Sequence, residues 1–338
     1  MERKAGGWRR RVFWRPAWTT VVPTSSFADR LADACRAKGN SLCVGLDPRW
    51  DLLPEGVRRR HAAGGLAGMA AAFEEFCLRV LAIVAPQVAV VKTQSAFFEA
   101  CGPEGMAALQ RVLRSAHRHG LLTILDGKRN DIASTAAAYA DAAFAGTPLG
   151  GHLHPVWDAD ALTVNPYLGR DAVEPFLHRA RRHGRGVFIL VRTSNPGAGL
   201  FQDLVCDGRP LFVHVAEAVG AWAREGLGRC GLGDVGAVVG ATHPAELAEV
   251  RRLLPEVVFL IPGYGAQGGS AADTAAAFRP DGTGAVINSS RGIIGCFPPA
   301  EPAWEAAIER VTRTSIAALQ QGTPMGKLSS CSKKEQSP

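Results

Sequence analysis

The sequence predicts a closed (β/α)8 barrel, the TIM-barrel architecture of α/β proteins, built as a single domain. Apolar runs rich in Val, Ile and Leu recur eight times, as expected of parallel strands buried on both faces. Segments with helical periodicity separate the runs, and eight consecutive βα units favour a closed barrel over an open sheet. No G-x-G-x-x-G follows the first run, which excludes a Rossmann-type dinucleotide site. The expected strands are 41–47, 88–94, 121–128, 161–165, 186–194, 235–242, 257–263 and 285–290.

Helices are expected where Ala, Leu, Glu and Arg recur with a period close to 3.6 residues. One helix precedes the first strand and places Phe27, Leu31 and Cys35 on a single face. The clearest helical segments are 26–38, 68–84, 106–119 and 244–254.

The charge of the chain is concentrated at its ends. The segments 1–25 and 326–338 together hold nine basic and two acidic side chains, so the 38 basic and 31 acidic residues reduce to 29 of each in between. Barrels of this kind reach 338 residues as one domain. We therefore expect a basic, disordered arm over 1–25, the barrel over 26–322 and a polar tail over 323–338.

The composition also bears on partners and location. The N-terminal arm is Arg-rich, as expected of an organelle transit peptide or of a start codon assigned too far upstream, and the sequence does not separate these two origins. The arm lacks the apolar core of a secretory signal. A neutral body predicts no nucleic-acid partner, and without a run of 18 apolar residues we expect no membrane span. Eight cysteines without C-x-x-C spacing indicate free thiols in a reducing compartment, so we expect a cytoplasmic protein.

Charged side chains follow the third strand in the pattern D-x-K-x-x-D, formed by Asp126, Lys128 and Asp131. Residues two apart on a strand share a face, so Asp126 and Lys128 can both face the barrel mouth. Asp131 is expected to begin the next helix, with Thr135 one turn later on the same side. A structural salt bridge, with Asp131 as an ordinary helix N-cap, would give the same pattern.

Two further charged residues, Asp47 and Lys92, stand at the ends of the first two strands. Active sites of (β/α)8 barrels lie at these carboxyl ends, and several charges at one mouth are costly to desolvate. The combination favours a catalytic role over a structural salt bridge.

A phosphate site is expected after strands seven and eight, where barrels of this kind usually bind phosphate. The loop 262–269, PGYGAQGG, offers backbone N–H groups at glycines such as Gly268, and Arg291 follows strand eight with a guanidinium suited to phosphate. The pairs His117-x-His119 and His152-x-His154 lack a carboxylate or third ligand at useful spacing, so no metal site is expected.

The motif LDGKRNDIAST resembles the D-x-K-x-x-D-I-x-x-T signature of orotidine 5'-phosphate decarboxylases. The motifs CVGLDP, VVKTQSAFFE, TVNPYLG, RTSNPG, VGAT, IPGYGAQGG and NSSRGI are similar, in the same order, to the bacterial long-form (type 2) branch of that family. The resemblance extends from about Phe27 to about Ala318, and departs from the signature at Gly127 and Asn130, where Ala and Gly are usual.

The resemblance implies a lyase that converts orotidine 5'-monophosphate to uridine 5'-monophosphate and CO₂ in pyrimidine synthesis, without a cofactor. Lys128 would protonate C6 of the pyrimidine ring, while Asp126, Asp131 and Lys92 complete an alternating charge network. Asp131 would reach the site of a second subunit, giving a homodimer with shared sites. The implied substrate-binding residues are Asp47, Ile132, Thr135, Ser194, Gln267, Gly268 and Arg291.

Two other classes of function remain as alternatives. Related barrels with D-x-K-x-x-D act on sugar phosphates as Mg²⁺-dependent decarboxylases or aldolases, but need an extra acidic ligand and leave the T-S-N-P-G motif unexplained. A phosphate-binding barrel without catalysis would have no reason to bear the cost of desolvating four charges.

Overall fold

The computed structural model of the chain describes residues 25–241, 244–265 and 269–328. Eight parallel strands close into a barrel in the order β1-β12-β11-β10-β7-β6-β3-β2, with β2 also paired to β1. This confirms the (β/α)8 prediction. The barrel strands are β1 (Leu42–Leu46), β2 (Val90–Gln94), β3 (Leu122–Arg129), β6 (Ala161–Val164), β7 (Gly186–Arg192), β10 (Val235–Val239), β11 (Phe259–Ile261) and β12 (Ala285–Ser289).

Helices surround the barrel and join successive strands. Four long predicted helices are confirmed to within about four residues at each end. The helices are α1 (Phe27–Lys38), α2 (Glu55–His61), α3 (Gly65–Val84), α4 (Ser95–Glu99), α5 (Gly102–Arg118), α6 (Ala133–Ala140), α7 (Arg170–Arg182), α8 (Gly199–Gln202), α9 (Leu211–Arg224), α10 (Pro244–Leu253), α11 (Ala271–Thr274), α12 (Arg291–Ile294) and α13 (Trp304–Gly322). Shorter 3-10 turns are Trp50–Leu52, Ala62–Gly64 and Ala275–Ala277, and a π turn, Asp141–Ala145, extends α6.

Helix α1 illustrates how local signals set the ends of an element. The side chain of Ser26 accepts a hydrogen bond from the backbone N–H of Asp29, which satisfies a free donor of the first turn. Gly39 ends the helix in the left-handed region at φ 66°, where a side chain would be strained. The apolar face, which includes Phe27 and Leu31, packs against the barrel, and the ring of Phe27 meets that of Phe188 edge to face.

Two antiparallel hairpins were not predicted. The first joins β4 (Thr147–Leu149) to β5 (His152–His154) after the α6 segment, and the second joins β8 (Val205–Cys206) to β9 (Arg209–Pro210) after β7. All residues of β4, β5 and β8 are exposed, so they lack the buried apolar pattern that marks the barrel strands. The β8–β9 hairpin lies in the connection that follows the carboxyl end of β7, on the side of the expected site, whereas the β4–β5 hairpin lies between α6 and β6.

The first residues of the expected C-terminal tail, 323–328, pack against the barrel. Met325 and Leu328 are fully buried in the barrel core, and the Met325 sulfur accepts a hydrogen bond from the backbone N–H of Ser41. The short segment after α13 therefore covers the base of the barrel, because its two apolar side chains are buried there. Most of the expected arm, 1–24, and residues 329–338 lie outside the described residues.

Within the described ranges, no helix is both long enough and apolar enough to cross a membrane.

Candidate active site

A buried carboxylate, Asp126, organises the charged groups at the barrel mouth. Its two oxygens accept hydrogen bonds from Lys92 Nζ at 2.9 Å and Lys128 Nζ at 2.7 Å. Gln94 Nε2 adds a third bond at 3.1 Å. The Asp47 carboxylate lies 3.6 Å from Lys92 Nζ, so positive and negative groups alternate along the wall. Asp126 and Lys128 are therefore in direct contact.

Their closeness does not arise from regular strand alternation. The pairing of β3 with β6 shifts register between Leu125 and Arg129, and Lys128 takes a left-handed backbone conformation at φ 44°. Thr163 of β6 stabilises this irregular backbone, since its hydroxyl accepts a hydrogen bond from the Lys128 N–H at 2.9 Å. The same hydroxyl donates to Asp126 at 2.8 Å. One threonine therefore positions both members of the pair.

Burial and charge act in opposite directions on the groups of this network. Burial alone would lower the pKa of Lys92, but the carboxylates of Asp126 and Asp47 outweigh it and raise that pKa. Burial alone would raise the pKa of Asp126, but the two lysine ammonium groups outweigh it and lower that pKa well below its usual range. Both groups are therefore charged at neutral pH, although each is less than a tenth exposed. The Lys128 side chain is 46% exposed and reaches open space.

That open space is a cavity of two adjoining lobes, of about 440 and 330 Å³, within the range of small-molecule sites. Lys92, Asp126, Pro262 and Asn288 line both lobes, so the two form one continuous site. The first lobe also contains Lys128, Thr163, Leu190, Thr193, Ser194, Asn195, Gln202, Val238 and Leu260. The second also contains Asp47, Arg49, Gln94, Phe97, Gly263, Tyr264, Ser290 and Arg291.

The second lobe is suited to an anion. Arg291 begins α12 directly after β12 and, within the described part of the chain, forms no ion pair. An unneutralised guanidinium at the rim of a cavity is a strong donor for phosphate or carboxylate. Gly263 and Gly265, at φ 95° and 80°, form the described part of the glycine-rich loop beside it. The predicted residues Gln267 and Gly268 lie outside the described residues.

Three predicted site residues do not line this cavity. Asp131 does not begin a helix, because α6 starts at Ala133 and Ile132 caps it with an extended backbone. The Asp131 carboxylate instead accepts a hydrogen bond from the Ile132 N–H at 2.8 Å and forms no ion pair with any described residue. Ile132 and Thr135 are exposed. The expected placement of Asp131 as the first residue of the helix is therefore wrong.

Several cavity residues had no role in the sequence interpretation. Gln94 stands at the end of the second strand, where a scan of strand ends could have selected it. Thr163 sits inside the apolar run Ala161–Val164 and Asn288 inside Ala285–Ser289, so neither gives a signal beyond being polar in a buried strand. That signal is useful, because a polar residue within a buried barrel strand needs a partner.

No histidine of the described residues lines this cavity. No three His, Cys, Asp or Glu side chains among the described residues are grouped so that they could hold a metal ion. His117 instead lies at the opposite end of the barrel, 3.1 Å from the Asp160 carboxylate. His152 and His154 belong to the exposed β4–β5 hairpin.

The fold and the site together define a TIM-barrel enzyme that binds an anionic substrate beside a fixed lysine–aspartate network. The chain matches the Orotidine 5'-phosphate decarboxylase / HUMPS family over residues 40–306, and it belongs to that family.

Named relatives agree with this assignment. An orotidine 5'-phosphate decarboxylase of Rhodopirellula baltica is 48% identical over 272 residues, which cover 80% of this chain and 88% of the relative. The enzyme of the same name from Deinococcus radiodurans is 42% identical over 271 residues, covering 80% and 89%. The structure of Leishmania donovani OMP decarboxylase superposes with a TM-score of 0.66 at 37% identity, covering 87% of this chain and 98% of that one.

Proposed function

We propose that this chain decarboxylates orotidine 5'-monophosphate to uridine 5'-monophosphate and CO₂, a step of pyrimidine nucleotide synthesis. The observation that carries the proposal is the Lys92–Asp126–Lys128 network on the wall of a cavity at the barrel mouth. Family membership and relatives that bear the name of this activity support it. A phosphate-binding barrel without catalysis gives no reason to bury the charges of Lys92 and Asp126 beside an anion site.

The reaction needs a cation where negative charge develops. The bond between C6 and the carboxylate breaks, CO₂ leaves, and the bonding electrons remain on C6 of the pyrimidine ring. The Lys128 ammonium stabilises those electrons and then donates a proton to C6, after which water restores the proton to the lysine. Asp126 orients the ammonium through the 2.7 Å hydrogen bond, so little reorganisation is needed as the reaction proceeds.

The remaining groups bind parts of the substrate that do not react. We assign the phosphate to Arg291, with Gln267 and Gly268, and the pyrimidine to Ser194 in the first lobe. Asp47 and Lys92, between the two lobes, hold ribose hydroxyls. Binding energy from the phosphate and the ribose can offset the cost of dehydrating the substrate carboxylate beside Asp126.

We further propose a homodimer in which Asp131, Ile132 and Thr135 of one subunit complete the site of the other. These residues are displaced from the cavity of their own chain, and the Ile132 side chain is 56% exposed. Large exposed apolar residues are also frequent in the segments that connect β3 to β6, β6 to α7 and β7 to α9, and such a concentration is expected of an interaction surface. They are Ile132, Tyr139, Leu149, Leu153, Tyr167, Leu168, Leu200, Phe201, Leu204 and Val205.

The activity is tested by following the loss of orotidine 5'-monophosphate absorbance with purified protein, with and without excess EDTA. We expect turnover in both cases, because the proposed mechanism uses Lys128 as its cation. Activity that is lost with EDTA and restored by Mg²⁺ would favour the related sugar-phosphate enzymes. Binding of the nucleotide without turnover would favour a phosphate-binding barrel.

The shared site is tested by mixing two inactive variants, Lys128→Ala and Asp131→Ala. In a mixed dimer one site receives both substitutions and the other receives neither. Random pairing makes half of the dimers mixed, so about one quarter of all sites should regain activity under two-fold symmetry. If separately tagged mixed dimers form but stay inactive, each subunit builds its site alone.

A further inference from the structure

Asn288 is a buried polar residue at the junction of the two lobes of the cavity. It lies in β12, where its backbone pairs with Cys43 of β1, and it is 6% exposed. Together with Lys92, Asp126 and Pro262 it lines both lobes. The side chain is thus held where a ligand that spans the cavity must pass.

One polar atom of the Asn288 side-chain amide forms a hydrogen bond within the described structure, and the other does not. Its Nδ2 donates to Ser290 Oγ at 3.3 Å, which orients the amide group. Its Oδ1 is buried and accepts no hydrogen bond from any residue that the structure describes. A buried acceptor without a donor costs free energy, so such an atom in a cavity wall indicates a donor on the ligand.

A second buried acceptor, Asp47 Oδ1, stands in the wall of the second lobe and accepts no hydrogen bond from the described residues. Gly45 of β1 makes room for the side chains of Ser290 and Asn288. A methyl group on Gly45 would lie 1.8 Å from Ser290 Oγ and 3.1 Å from Asn288 Oδ1. The strand therefore leaves open the space in which these polar atoms sit.

The chemistry of a nucleotide decides which of its groups can satisfy Asn288 Oδ1. A phosphate dianion offers only acceptors and belongs near Arg291. The pyrimidine N–H belongs with the ring, in the lobe that contains Ser194 and Lys128. Between ring and phosphate lies the sugar, and its hydroxyl groups are the donors at the junction where Asn288 stands.

We infer that Asn288 is a substrate-binding residue whose Oδ1 accepts a hydrogen bond from a ribose hydroxyl of the nucleotide. The inference rests on the proposed function, since it takes a pyrimidine ribonucleotide as the ligand. It adds a sugar contact from β12 to those proposed for Asp47 and Lys92. The site thereby distinguishes a ribonucleotide from its deoxy forms.

The contact is tested with the product rather than with turnover. Dissociation constants of uridine 5'-monophosphate and of its 2'-deoxy and 3'-deoxy analogues are measured by calorimetry for the unaltered protein and for Asn288→Ala. Loss of one hydrogen bond should weaken binding of the ribonucleotide about 3- to 10-fold. The analogue that lacks the contacted hydroxyl should bind the variant and the unaltered protein within about twofold.

Asn288→Leu, which keeps the number and branching of the side-chain heavy atoms, serves as the second variant in case the smaller side chain of alanine disturbs the fold. The inference is overturned if either folded variant binds all three ligands with equal loss, because the effect is then structural. It is also overturned if neither variant weakens binding of the ribonucleotide. A ribonucleotide that fails to bind the unaltered protein would contradict the proposed function itself, which separates the two outcomes.

Discussion

Two buried aspartates at opposite ends of the barrel have nearly the same surroundings. Asp126 at the mouth accepts hydrogen bonds from Lys92, Lys128, Gln94 and Thr163. The second aspartate, Asp160, lies at the base and accepts its hydrogen bonds from two arginines, a histidine and a threonine. Those partners are Arg30 at 2.7 Å, Arg185 at 2.6 Å, His117 at 3.1 Å and the Thr123 N–H at 2.9 Å.

The same pair of neighbouring strands carries both clusters. Strand β3 holds Thr123 near its start and Asp126 near its end, while Asp160 precedes β6 and Thr163 lies within it. In both clusters burial alone would raise the carboxyl pKa, and the neighbouring donors and cations outweigh it and lower that pKa well below its usual range. A strongly lowered carboxyl pKa therefore does not by itself identify a catalytic group.

The difference between the clusters lies in their cations and in the space beside them. Arginines with planar forks tie Asp160 to α1 and to the start of β7, and Arg30 also donates to the Gly184 carbonyl. At the mouth the cations are lysines, and one of them, Lys128, is 46% exposed and borders the cavity. A charge network stabilises the fold when all of its donors form hydrogen bonds to protein groups. It can also act on a substrate when one donor borders a cavity.

The largest expected effect is on turnover at the mouth. Lys128→Ala should lower kcat by about 10³–10⁴-fold in the decarboxylation assay, since it removes the proton donor and the cation beside C6. Its effect on the urea midpoint of unfolding should be small, because the side chain is half exposed. The matched variant at the base, Arg185→Ala, should lower the unfolding midpoint and leave kcat within about twofold. A reversed pattern would show that the Asp160 cluster at the base of the barrel, and not the Asp126 cluster at its mouth, serves catalysis.

Asp160→Asn should lower the free energy of unfolding at pH 7 by about 3 kcal/mol, because it leaves two arginines next to a neutral group. The lowered pKa of Asp160 makes this stabilisation complete above the unfolded carboxyl pKa of about 4, and it is lost as the pH falls through the folded value. The difference between variant and unaltered protein should therefore shrink below about pH 4. Urea unfolding between pH 7 and pH 3 measures it, and a difference independent of pH would mean that charge is not the cause.

Thr163→Val should lower kcat about 10-fold while it preserves side-chain volume, because both Asp126 and Lys128 lose a hydrogen bond that positions them. Thr123→Val is the corresponding change at the base, where the hydroxyl lies 3.3 Å from Asp160. It should cost about 1 kcal/mol of stability with kcat unchanged. Steady-state kinetics and urea unfolding of both variants separate positioning from stability. Equal kinetic effects of the two substitutions would remove the distinction between the clusters.

The smallest effect is expected on removal of residues 1–24. The base cluster needs Ser26 as the cap of α1 and Arg30 as the partner of Asp160, and both lie beyond the cut. We therefore expect kcat and KM within about twofold of the full chain. A tenfold loss of kcat/KM would mean that the removed segment contacts the site or the dimer interface.

Much of the fold could be predicted because the barrel strands have a recognisable sequence pattern. Most of them are short runs rich in Val, Ile, Leu, Phe or Ala with buried side chains, and the dehydration of such side chains drives them into one core. The β4–β5 and β8–β9 hairpins lacked that pattern, because they are exposed and are formed by local turns. The core position of Met325 was missed for a related reason, since two apolar side chains among polar ones give no periodicity.

By itself the sequence determined the eight βα units and the charged residues at the ends of their strands. These depend on local patterns and on the rule that parallel strands bring their carboxyl ends together. Only the tertiary structure decided that Lys128 reaches Asp126 through a register shift held by Thr163, and that Asp131 turns away from its own cavity. It also decided that Asn288 carries a buried acceptor at the centre of the site. The carboxyl group of Asp160, whose pKa is lowered, lies at the opposite end of the barrel from that site. Such features depend on contacts between strands that are far apart in the chain. The free energy of a buried polar atom is set there by neighbouring groups that a local sequence pattern cannot predict.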